Sequence, residues 1–292
     1  MILVFGSINV DMLVPVPQLP NPGQTVLGSD YRLLPGGKGA NQAVAARRAS
    51  DTVVVMAGAV GNDSFAEIAL AGLRGEGVVL NLVRHTEGPT GCAAIMVGEA
   101  GENMIAVASG ANHNAASASV PRNMLNPHTI VLCQMEVRPD QNWMLMERAR
   151  EAGARTILNL APAAPIEPEL YGMIDILVAN AGEAASLGEE PPAIAERLRH
   201  AFVITRGAAG SIAYLRGGRQ IETPALPIAP VDTTGAGDAF TGVLAASLDE
   251  QLDLDLALRR ANVAAALTCL QPGAQSAMPN RATVDAALDR LP

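Results

Sequence analysis

Short apolar runs alternate along the chain with segments whose apolar residues recur every three or four positions. Parallel strands read as continuous apolar runs because both of their faces are covered, whereas a helix buries one stripe. The runs predict strands at 2–8, 52–58, 129–134, 155–161, 175–180 and 202–207. The periodic segments predict helices at 39–49, 63–74, 139–152, 181–187, 191–200, 238–248 and 254–270. We therefore expect one α/β domain over residues 1–292, with a doubly wound, mainly parallel sheet and helices on both faces.

Two segments, about 12–33 and 90–108, interrupt this alternation. Both contain pairs of extended runs with partial alternation, such as "TGCAAIMV" and "MIAVAS" on either side of the turn "GEAGEN". This pattern is typical of antiparallel pairs rather than βα units. It predicts a small separate β-sheet that projects as a lid over a site. If the outer face of the lid is apolar, it is also a contact for a homodimer.

Composition narrows the class of protein. With 49% hydrophobic and 17% charged residues the chain is globular, and its formal charge of -9 argues against binding nucleic acid or an acidic membrane surface. The longest apolar runs are about half the length that a bilayer requires, so we expect no membrane partner. Three scattered cysteines without a C-x-x-C pair argue against a disulfide framework and a zinc site. With no basic stretch before the apolar run that follows Met1, we expect a cytoplasmic protein.

One lysine stands among the 20 basic residues, all the others being arginine. This residue, Lys38, lies in "LPGGKGANQA" at 34–43. Lysine supplies a compact charge on a flexible stem, whereas arginine favours flat, two-pronged contacts. The single lysine therefore indicates a site at which an arginine side chain is too bulky.

Polar groups follow the ends of the predicted strands or open the helices after them. Ligands of open parallel sheets bind beyond the carboxyl ends of the strands, so these loops predict one site. Taken one at a time, each of these polar groups also has a purely structural explanation. Examples are Asp238 as the N-cap of a helix, and Asn180 and Glu183 as a helix cap and its partner. The loops are "GSINVD" (6–11), "GGKGAN" (36–41), Gln134 with Glu136, "NAGE" (180–183), "TRGAAG" (205–210) and "DTTGAGD" (232–238).

The common nucleotide and hydrolase motifs are absent from the sequence. A P-loop requires Ser or Thr after its lysine, but Lys38 is followed by Gly39. The first predicted strand runs into "GSINVD" rather than G-x-G-x-x-G. No G-x-S-x-G or H-E-x-x-H occurs, which excludes the usual hydrolase and zinc-protease sites.

The motifs "GSINVD", "GGKGANQAVAA", "NAGE", "TRGAAG" and "DTTGAGDAF", in this order and over almost the full length, resemble the ribokinase branch of the PfkB sugar-kinase family. The last motif is the general signature of that family, and the first two are more specific to the ribokinase branch. The resemblance implies ATP-dependent phosphorylation of a sugar's primary hydroxyl, with D-ribose, converted to D-ribose 5-phosphate, as the favoured substrate.

The resemblance also implies residue roles. Asp238 would be the catalytic base, beside an anion hole formed by Gly235, Ala236 and Gly237, where a helix N-terminus attracts negative charge. The sugar would be held by Asn9, Asp11, Gly37, Lys38, Gly39, Asn41, Glu136 and Asp238. ATP would be bound by Asn180, Thr205, Arg206, Gly207, Gly210, Gly237 and Asn262. Glu183 would hold Mg²⁺ through water. An activating K⁺ would be held by Asp232, Thr234, Thr268, Gln271 and Gly273.

Two positions depart from the family pattern, and two kinds of alternative stay open. Ala277 stands where ribokinases often have a hydroxyl residue, which puts one K⁺ ligand in doubt, and Arg206 replaces an apolar residue. Another substrate of the family, such as a nucleoside, deoxyribose or a ketose, is the first alternative. Four Phe, three Tyr and one Trp leave few stacking groups for a nucleoside. The alternative outside enzymes is a catalytically silent sugar-binding regulator.

Overall fold

The computed structural model describes residues 1–99 and 101–292; Ala100, within the predicted turn of the lid, lies outside the described residues. Its strands are β1 (Ile2–Phe5), β2 (Asn9–Pro15), β3 (Arg32–Gly36), β4 (Val54–Gly61), β5 (Val79–Thr86), β6 (Gly91–Val97), β7 (Asn103–Ala108), β8 (Ile130–Gln134), β9 (Arg155–Asn159), β10 (Ile176–Asn180), β11 (Ala201–Thr205), β12 (Ser211–Leu215) and β13 (Gln220–Thr223). Its α-helices are α1 (Lys38–Ala49), α2 (Ser64–Gly75), α3 (Pro139–Glu151), α4 (Ala181–Ser186), α5 (Pro191–Arg197), α6 (Ala236–Asp249), α7 (Leu254–Thr268) and α8 (Arg281–Ala287).

The large sheet has nine strands in the order β13-β12-β11-β10-β9-β8-β1-β4-β5. All neighbours from β11 to β5 pair in parallel, whereas the β11–β12 and β12–β13 pairs are antiparallel. From β1 the chain proceeds first toward β4 and β5 and later, through β8, in the other direction. The crevice between β1 and β8 is thus the topological switch point, where such sheets bind ligands.

Helices cover both faces of this sheet, which confirms the predicted fold class. Alternate residues of β1 enter different cores: Ile2 and Val4 pack toward α1, α2, α6 and α7, whereas Leu3 and Phe5 pack toward α3 and α5. All four side chains are fully buried. This two-sided burial is why the strands read as unbroken apolar runs.

The predicted lid is a separate four-stranded sheet in the order β3-β2-β6-β7. Its first segment is longer than the predicted 12–33 at both ends, since β2 begins at Asn9 and β3 ends at Gly36. The chain leaves β1 at Phe5 and enters the lid directly, so "GSINVD" connects a strand to a strand and is not a βα loop. Strand β2 pairs in parallel with β6 and antiparallel with β3.

Three strands and one α-helix were not predicted: β5, the two strands of the β12–β13 hairpin, and α8. Strand β5 lies at the edge of the sheet and exposes much of "VLNLVRHT", so it lacks the apolar run of a central strand. The hairpin is short and turns at Gly217 and Gly218, both at positive φ. Within residues 1–99 and 101–292, no helix combines the length and hydropathy that a bilayer crossing requires.

Candidate active site

Two cavities meet at the carboxyl end of the large sheet. One, of about 240 Å³, lies beside the ends of β10 and β11 and the N-terminus of α6. The other, of about 470 Å³, lies between the lid and the loop after β8. Lys38 lines both. A larger cavity of about 640 Å³ lies at the opposite edge of the sheet, among the residues that begin β9 and β10, and contains none of the predicted site residues.

Asp238 lies in the wall of the smaller cavity and is 7% exposed. It is the third residue of α6, whose N-cap is Gly235, so the interpretation of Asp238 as the N-cap is wrong. Its carboxylate accepts two hydrogen bonds from α1, with Asn41 Nδ2 at 3.0 Å from Oδ2 and Gln42 Nε2 at 2.9 Å from Oδ1. Asp238 is therefore a buried carboxylate held in a fixed orientation and open to the cavity on one side.

The glycines before Asp238 have distinct reasons to lack a side chain. Gly235 has φ +76, and a Cβ there would lie 2.9 Å from Ala274 Cβ. A Cβ on Gly237 would meet no atom of the described residues within 4 Å, so this glycine borders open space. No described residue accepts a hydrogen bond from the N–H of Gly237 or of Asp238. Free N–H donors at the start of a helix, on residues that line a cavity, are suited to binding an anion.

The sugar-side cavity is lined by Asn9 from the lid, Lys38 from α1, and Glu136 from the loop after β8. The predicted sugar ligands Asp11, Gly37, Gly39 and Asn41 lie outside the lining of both cavities. Asn9 Oδ1 accepts from Asn112 Nδ2 at 2.6 Å. Glu136 Oε2 accepts from Ser7 Oγ at 2.5 Å and from the Lys38 N–H at 3.1 Å. Ser7 and Asn112 position the predicted sugar ligands Glu136 and Asn9. Ser7 lies in the motif "GSINVD" but has no predicted role, and Asn112 lies outside every motif, because each is more than 100 positions from its partner.

Five charged groups lie around the junction of the cavities: Asp11, Lys38, Glu136, Glu183 and Asp238. Burial, reinforced by the carboxylates of Glu136 and Asp238, raises the pKa of Asp11 to about 6. The Asp238 carboxylate raises the pKa of Lys38 against the opposing effect of burial. Lys38 therefore stays protonated and is the positive charge at the point where the two cavities join.

The glycines of "GGKGAN" allow the backbones to approach closely. A Cβ on Gly36 would lie 2.3 Å from the Asp11 carboxylate. Gly37 has φ +89, and a Cβ there would lie 2.8 Å from Asn9 N. A Cβ on Gly39 would lie 2.7 Å from Ser7 N. These glycines, which lack a side chain, therefore let α1 begin directly beneath strand β2 of the lid.

Of the predicted ATP residues, Asn180, Thr205 and Gly237 line the 240 Å³ cavity. Asn180 and Glu183 form a reciprocal helix cap, in which Asn180 Oδ1 accepts from Glu183 N and Glu183 Oε2 accepts from Asn180 N. Burial raises the pKa of the Glu183 carboxyl, which also lines this cavity. The capping explanation is confirmed, and it keeps the Glu183 carboxylate at the cavity wall.

The remaining predicted ATP residues lie outside the lining of this cavity. Arg206 pairs with Glu222 at 3.8 Å, an arrangement that the sequence did not predict. Asn262 is 5% exposed and donates to Ser211 Oγ at 2.8 Å. Gly207 and Gly210 both have positive φ and shape the turn after β11.

Asp232 ties together the two loops of the predicted K⁺ site. Oδ1 accepts from Thr234 N at 2.9 Å, and Oδ2 accepts from Gly273 N at 2.8 Å. Burial raises the pKa of the Asp232 carboxyl, but the hydrogen bonds from Gly273 and Thr234 outweigh it, so the pKa is lowered overall. Ala277 is buried, and the neighbouring Ser276 Oγ donates to the Pro272 carbonyl. The two predicted ligands that remain are Thr268, which ends α7, and Gln271, which follows it.

Comparison with known proteins agrees with this geometry. The model of the pfkB family of carbohydrate kinases matches residues 1–281. The chain is 37% identical over 98% of its length to a ribokinase of Bacillus subtilis, 99% of which is covered. Its fold matches the crystal structure of a ribokinase from Thermotoga maritima with a TM-score of 0.92 and 28% identity, covering 99% of both chains. It matches the Arabidopsis thaliana ribokinase complexed with ribose and ATP with a TM-score of 0.87 and 32% identity, covering 98% of both chains. The chain therefore belongs to the pfkB family of carbohydrate kinases, as its motifs predict.

Proposed function

We propose that this protein transfers the γ-phosphoryl group of ATP to the primary hydroxyl of D-ribose, giving D-ribose 5-phosphate and ADP. The observation that carries the proposal is that Gly237, Asp238 and Lys38 line one cavity, and that the N–H groups of Gly237 and Asp238 have no acceptor among the described residues. Ribokinases of several organisms are 32–37% identical to the chain, and one relative of known structure was solved with ribose and ATP.

Asp238 aims the sugar hydroxyl and accepts its proton as the new bond to phosphorus forms and the bond from phosphorus to the leaving ADP oxygen breaks. In phosphoryl transfer most of the catalysis is positioning and charge stabilisation, so a carboxylate is a sufficient base. The N–H groups of Gly237 and Asp238 donate to the phosphoryl oxygens, and the protonated Lys38 offsets their charge. Water is excluded when the lid covers the sugar.

The sugar is held in the 470 Å³ cavity by groups that can both donate and accept. Asp11 and Glu136 accept from hydroxyls, and Lys38 donates to them. Asn9, Asn41 and the backbone of Gly37 and Gly39 complete the proposed set. Because Asn41 already donates to Asp238, its contribution to the sugar comes from the remaining N–H of its amide.

The nucleotide occupies the cavity at β10 and β11, against Asn180, Thr205 and the turn from Arg206 to Gly210, with Asn262 toward its base. Mg²⁺ fits beside Glu183, because magnesium keeps most of its waters and needs few protein ligands. Among the described residues no cluster of three or more His, Cys, Asp or Glu side chains could hold a metal ion directly. When bound, the ion neutralises phosphate charge.

K⁺ fits the loops that Asp232 ties together. The proposed ligands are Asp232 with backbone carbonyls of Thr234, Thr268, Gln271 and Gly273, since a hard monovalent cation takes oxygen ligands. Gly235 packs against Ala274, so the K⁺ loops and the anion hole touch directly. K⁺ would thereby stabilise the loop that presents the Gly237 N–H.

One row of apolar side chains supports a homodimer through the lid. The register aligns Leu13, Ile95 and Ile105 across β2, β6 and β7. Ile105 is 53% exposed and lies on the same face as Val107, which lines the sugar cavity. A second copy that covers this row would close both sites at once.

The lid and the α/β core are proposed to act as one domain.

A coupled ADP-release assay over D-ribose, 2-deoxyribose, ketoses and nucleosides, with and without K⁺, tests the proposal. We expect D-ribose to have the highest kcat/KM and K⁺ to raise the rate. A nucleoside, a ketose or 2-deoxyribose in first place would reassign the substrate; a deoxyribokinase of Salmonella typhi is 29% identical to the chain. Sugar binding without any ADP release would identify a silent regulator instead.

A further inference from the structure

Gln42 connects the catalytic aspartate to a chain of buried amides. It follows Asn41 in α1 and is fully buried. Its Nε2 donates both to Asp238 Oδ1 at 2.9 Å and to Asn159 Oδ1 at 3.0 Å. Its Oε1 accepts from Gln134 Nε2 at 2.7 Å. Both N–H groups and the oxygen of the Gln42 amide therefore have hydrogen-bond partners.

The direction of every bond in this chain follows from Asp238. An ionised carboxylate only accepts hydrogen bonds, so Gln42 must present its NH₂ group to it. The oxygen of Gln42 must then face Gln134, which in turn must donate. Asn159 accepts from Gln42 and uses its own NH₂ to donate to the Val178 carbonyl.

The other oxygen of Asp238 is held in the same manner. Asn41 Nδ2 donates to Oδ2, and Asn41 Oδ1 accepts from Gln275 Nε2 at 3.0 Å. Each carboxylate oxygen thus has one amide donor, which fixes the rotation of the carboxylate plane. The lone pairs that remain are available to a hydroxyl in the cavity.

Two glycines bring these amides into range. A Cβ on Gly242 of α6 would lie 2.5 Å from the Gln42 carbonyl oxygen, so only a glycine permits α1 and α6 to pack this closely. A Cβ on Gly6 would lie 1.8 Å from Gln134 Oε1. The close approach of α1 and α6 is what places Gln42 against Asp238.

The geometry points to Gln42 as a positioning residue for phosphoryl transfer, which holds Asp238 Oδ1 so that the carboxylate faces the sugar hydroxyl. The inference rests on the proposed function. Gln42 lies outside the lining of both cavities and reaches the smaller one through Asp238 and through Asn159, which the Val178 carbonyl holds independently. Its loss therefore changes the rate of transfer and leaves substrate binding largely unchanged.

The test is steady-state kinetics of Gln42→Met, which keeps the length of the side chain and removes both donors. We expect kcat to fall about 10- to 100-fold, as for a small misplacement of a reacting group, while KM for sugar and for ATP changes less than about threefold. Arg260→Met is the control for a destabilised core, because Arg260 is a buried donor to the Ala49 carbonyl, at the opposite end of α1 from Lys38. It should lower the melting temperature without lowering kcat. A kcat of Gln42→Met within about twofold of the parent, or a rise in KM at unchanged kcat, overturns the proposal.

Gln42→Glu keeps the proposal testable if Gln42→Met does not fold. The new carboxyl faces Asp238, with Lys38, Asp11, Glu136 and Glu183 as the other charged groups around the junction. When protonated it again donates to Asp238, and when ionised it repels it. We therefore expect the ratio of its kcat to that of the parent enzyme to rise as pH falls from about 8 to about 6. A ratio independent of pH contradicts a positioning role.

The experiment separates failure of this inference from failure of the proposed function. All variants are assayed on whichever substrate the parent enzyme turns over best. If that substrate is not ribose, the substrate assignment fails, and the effect of Gln42→Met on kcat is still measured. If ribose is the substrate and Gln42→Met is fully active, only the role of Gln42 fails.

Discussion

The two halves of the site are built from different parts of the molecule. On the transfer side, Asp238 lies at a helix N-terminus, and its carboxylate is held by amides of α1 that are 6% exposed or less. On the sugar side, Asp11 lies on a strand of the projecting lid, and its carboxyl is close to other charges. The first half has the rigidity of a protein core, whereas the second carries ionisable groups on an element with one open face. We therefore expect substitutions on the transfer side to act through geometry and substitutions on the sugar side to act through charge.

The largest expected effect tests the transfer side. Asp238→Asn removes the proton acceptor and places an amide against the donors of Asn41 and Gln42, so kcat should fall about 10²- to 10⁴-fold. The measurement is ADP release at saturating sugar and ATP. Asp249→Asn, at the other end of the same helix, is the matched control, since Asp249 binds the N-terminus and Thr52. Near-normal turnover of Asp238→Asn would remove Asp238 from the mechanism.

The two glycines of the proposed anion hole should behave differently. Gly237→Ala places a methyl group in open space at the cavity, so kcat should fall about 10- to 100-fold with no change in melting temperature. Gly235→Ala is strained at φ +76 and meets Ala274, so it should lower both kcat and the melting temperature. Kinetics and thermal unfolding of the pair provide the measurement. Full activity of Gly237→Ala would show that no phosphate approaches this loop.

The sugar side should respond to pH. Asp11 titrates at about 6 because burial and the neighbouring carboxylates disfavour its charge. Below that pH the ionised acceptor is lost, so kcat/KM for the sugar should fall up to about tenfold per pH unit. In Asp11→Asn this dependence should disappear, and kcat/KM at pH 8 should be lower than in the parent. An unchanged pH profile in Asp11→Asn would assign the titration to another group.

The raised pKa of Asp11 also predicts an effect of pH on folding stability, and this effect is opposite in sign to the effect on kcat/KM. Because the folded-state pKa of Asp11 lies above its ordinary value of 3.8, the ionised form destabilises the fold. The stability that the protonated Asp11 carboxyl contributes is present at low pH, and it is lost as pH rises from about 4 to about 6. Asp11→Asn should therefore raise the melting temperature of the substrate-free protein at pH 8 and have less effect at pH 5. Equal effects at both pH values would contradict it.

The smallest expected effect on turnover concerns the lid. Ile105→Asp places a charge in the apolar row, so a dimer formed there should dissociate. Sedimentation velocity gives the mass, and we expect kcat to change less than about threefold while KM for the sugar rises. Met144→Asp, at an exposed apolar residue of α3, is the control. A monomeric parent protein would refute the dimer directly.

Much of the architecture could be predicted from local patterns. The apolar runs located six strands of the large sheet, and the periodic segments located seven helices within a few residues, because two-sided burial and amphipathicity both leave a sequence signature. The edge strand β5 left none, since its exposed face admits polar residues. The motif "DTTGAGDAF" predicted a site residue at Asp238, which lies in the wall of a cavity, although Asp238 is inside α6 and is not its cap.

The sequence by itself determined the order of strands and helices, the presence of a lid, and the chemical types gathered at one sheet edge, because each depends on neighbours within a few positions. Only the tertiary structure decided that Gln42 and Asn41 hold Asp238, that Ser7 holds Glu136 and that Asn112 holds Asn9. These partners are separated by 103 to 197 positions. A hydrogen bond requires contact within about 3 Å, and packing of distant segments, such as α1 against α6 at Gly242, is what creates that contact.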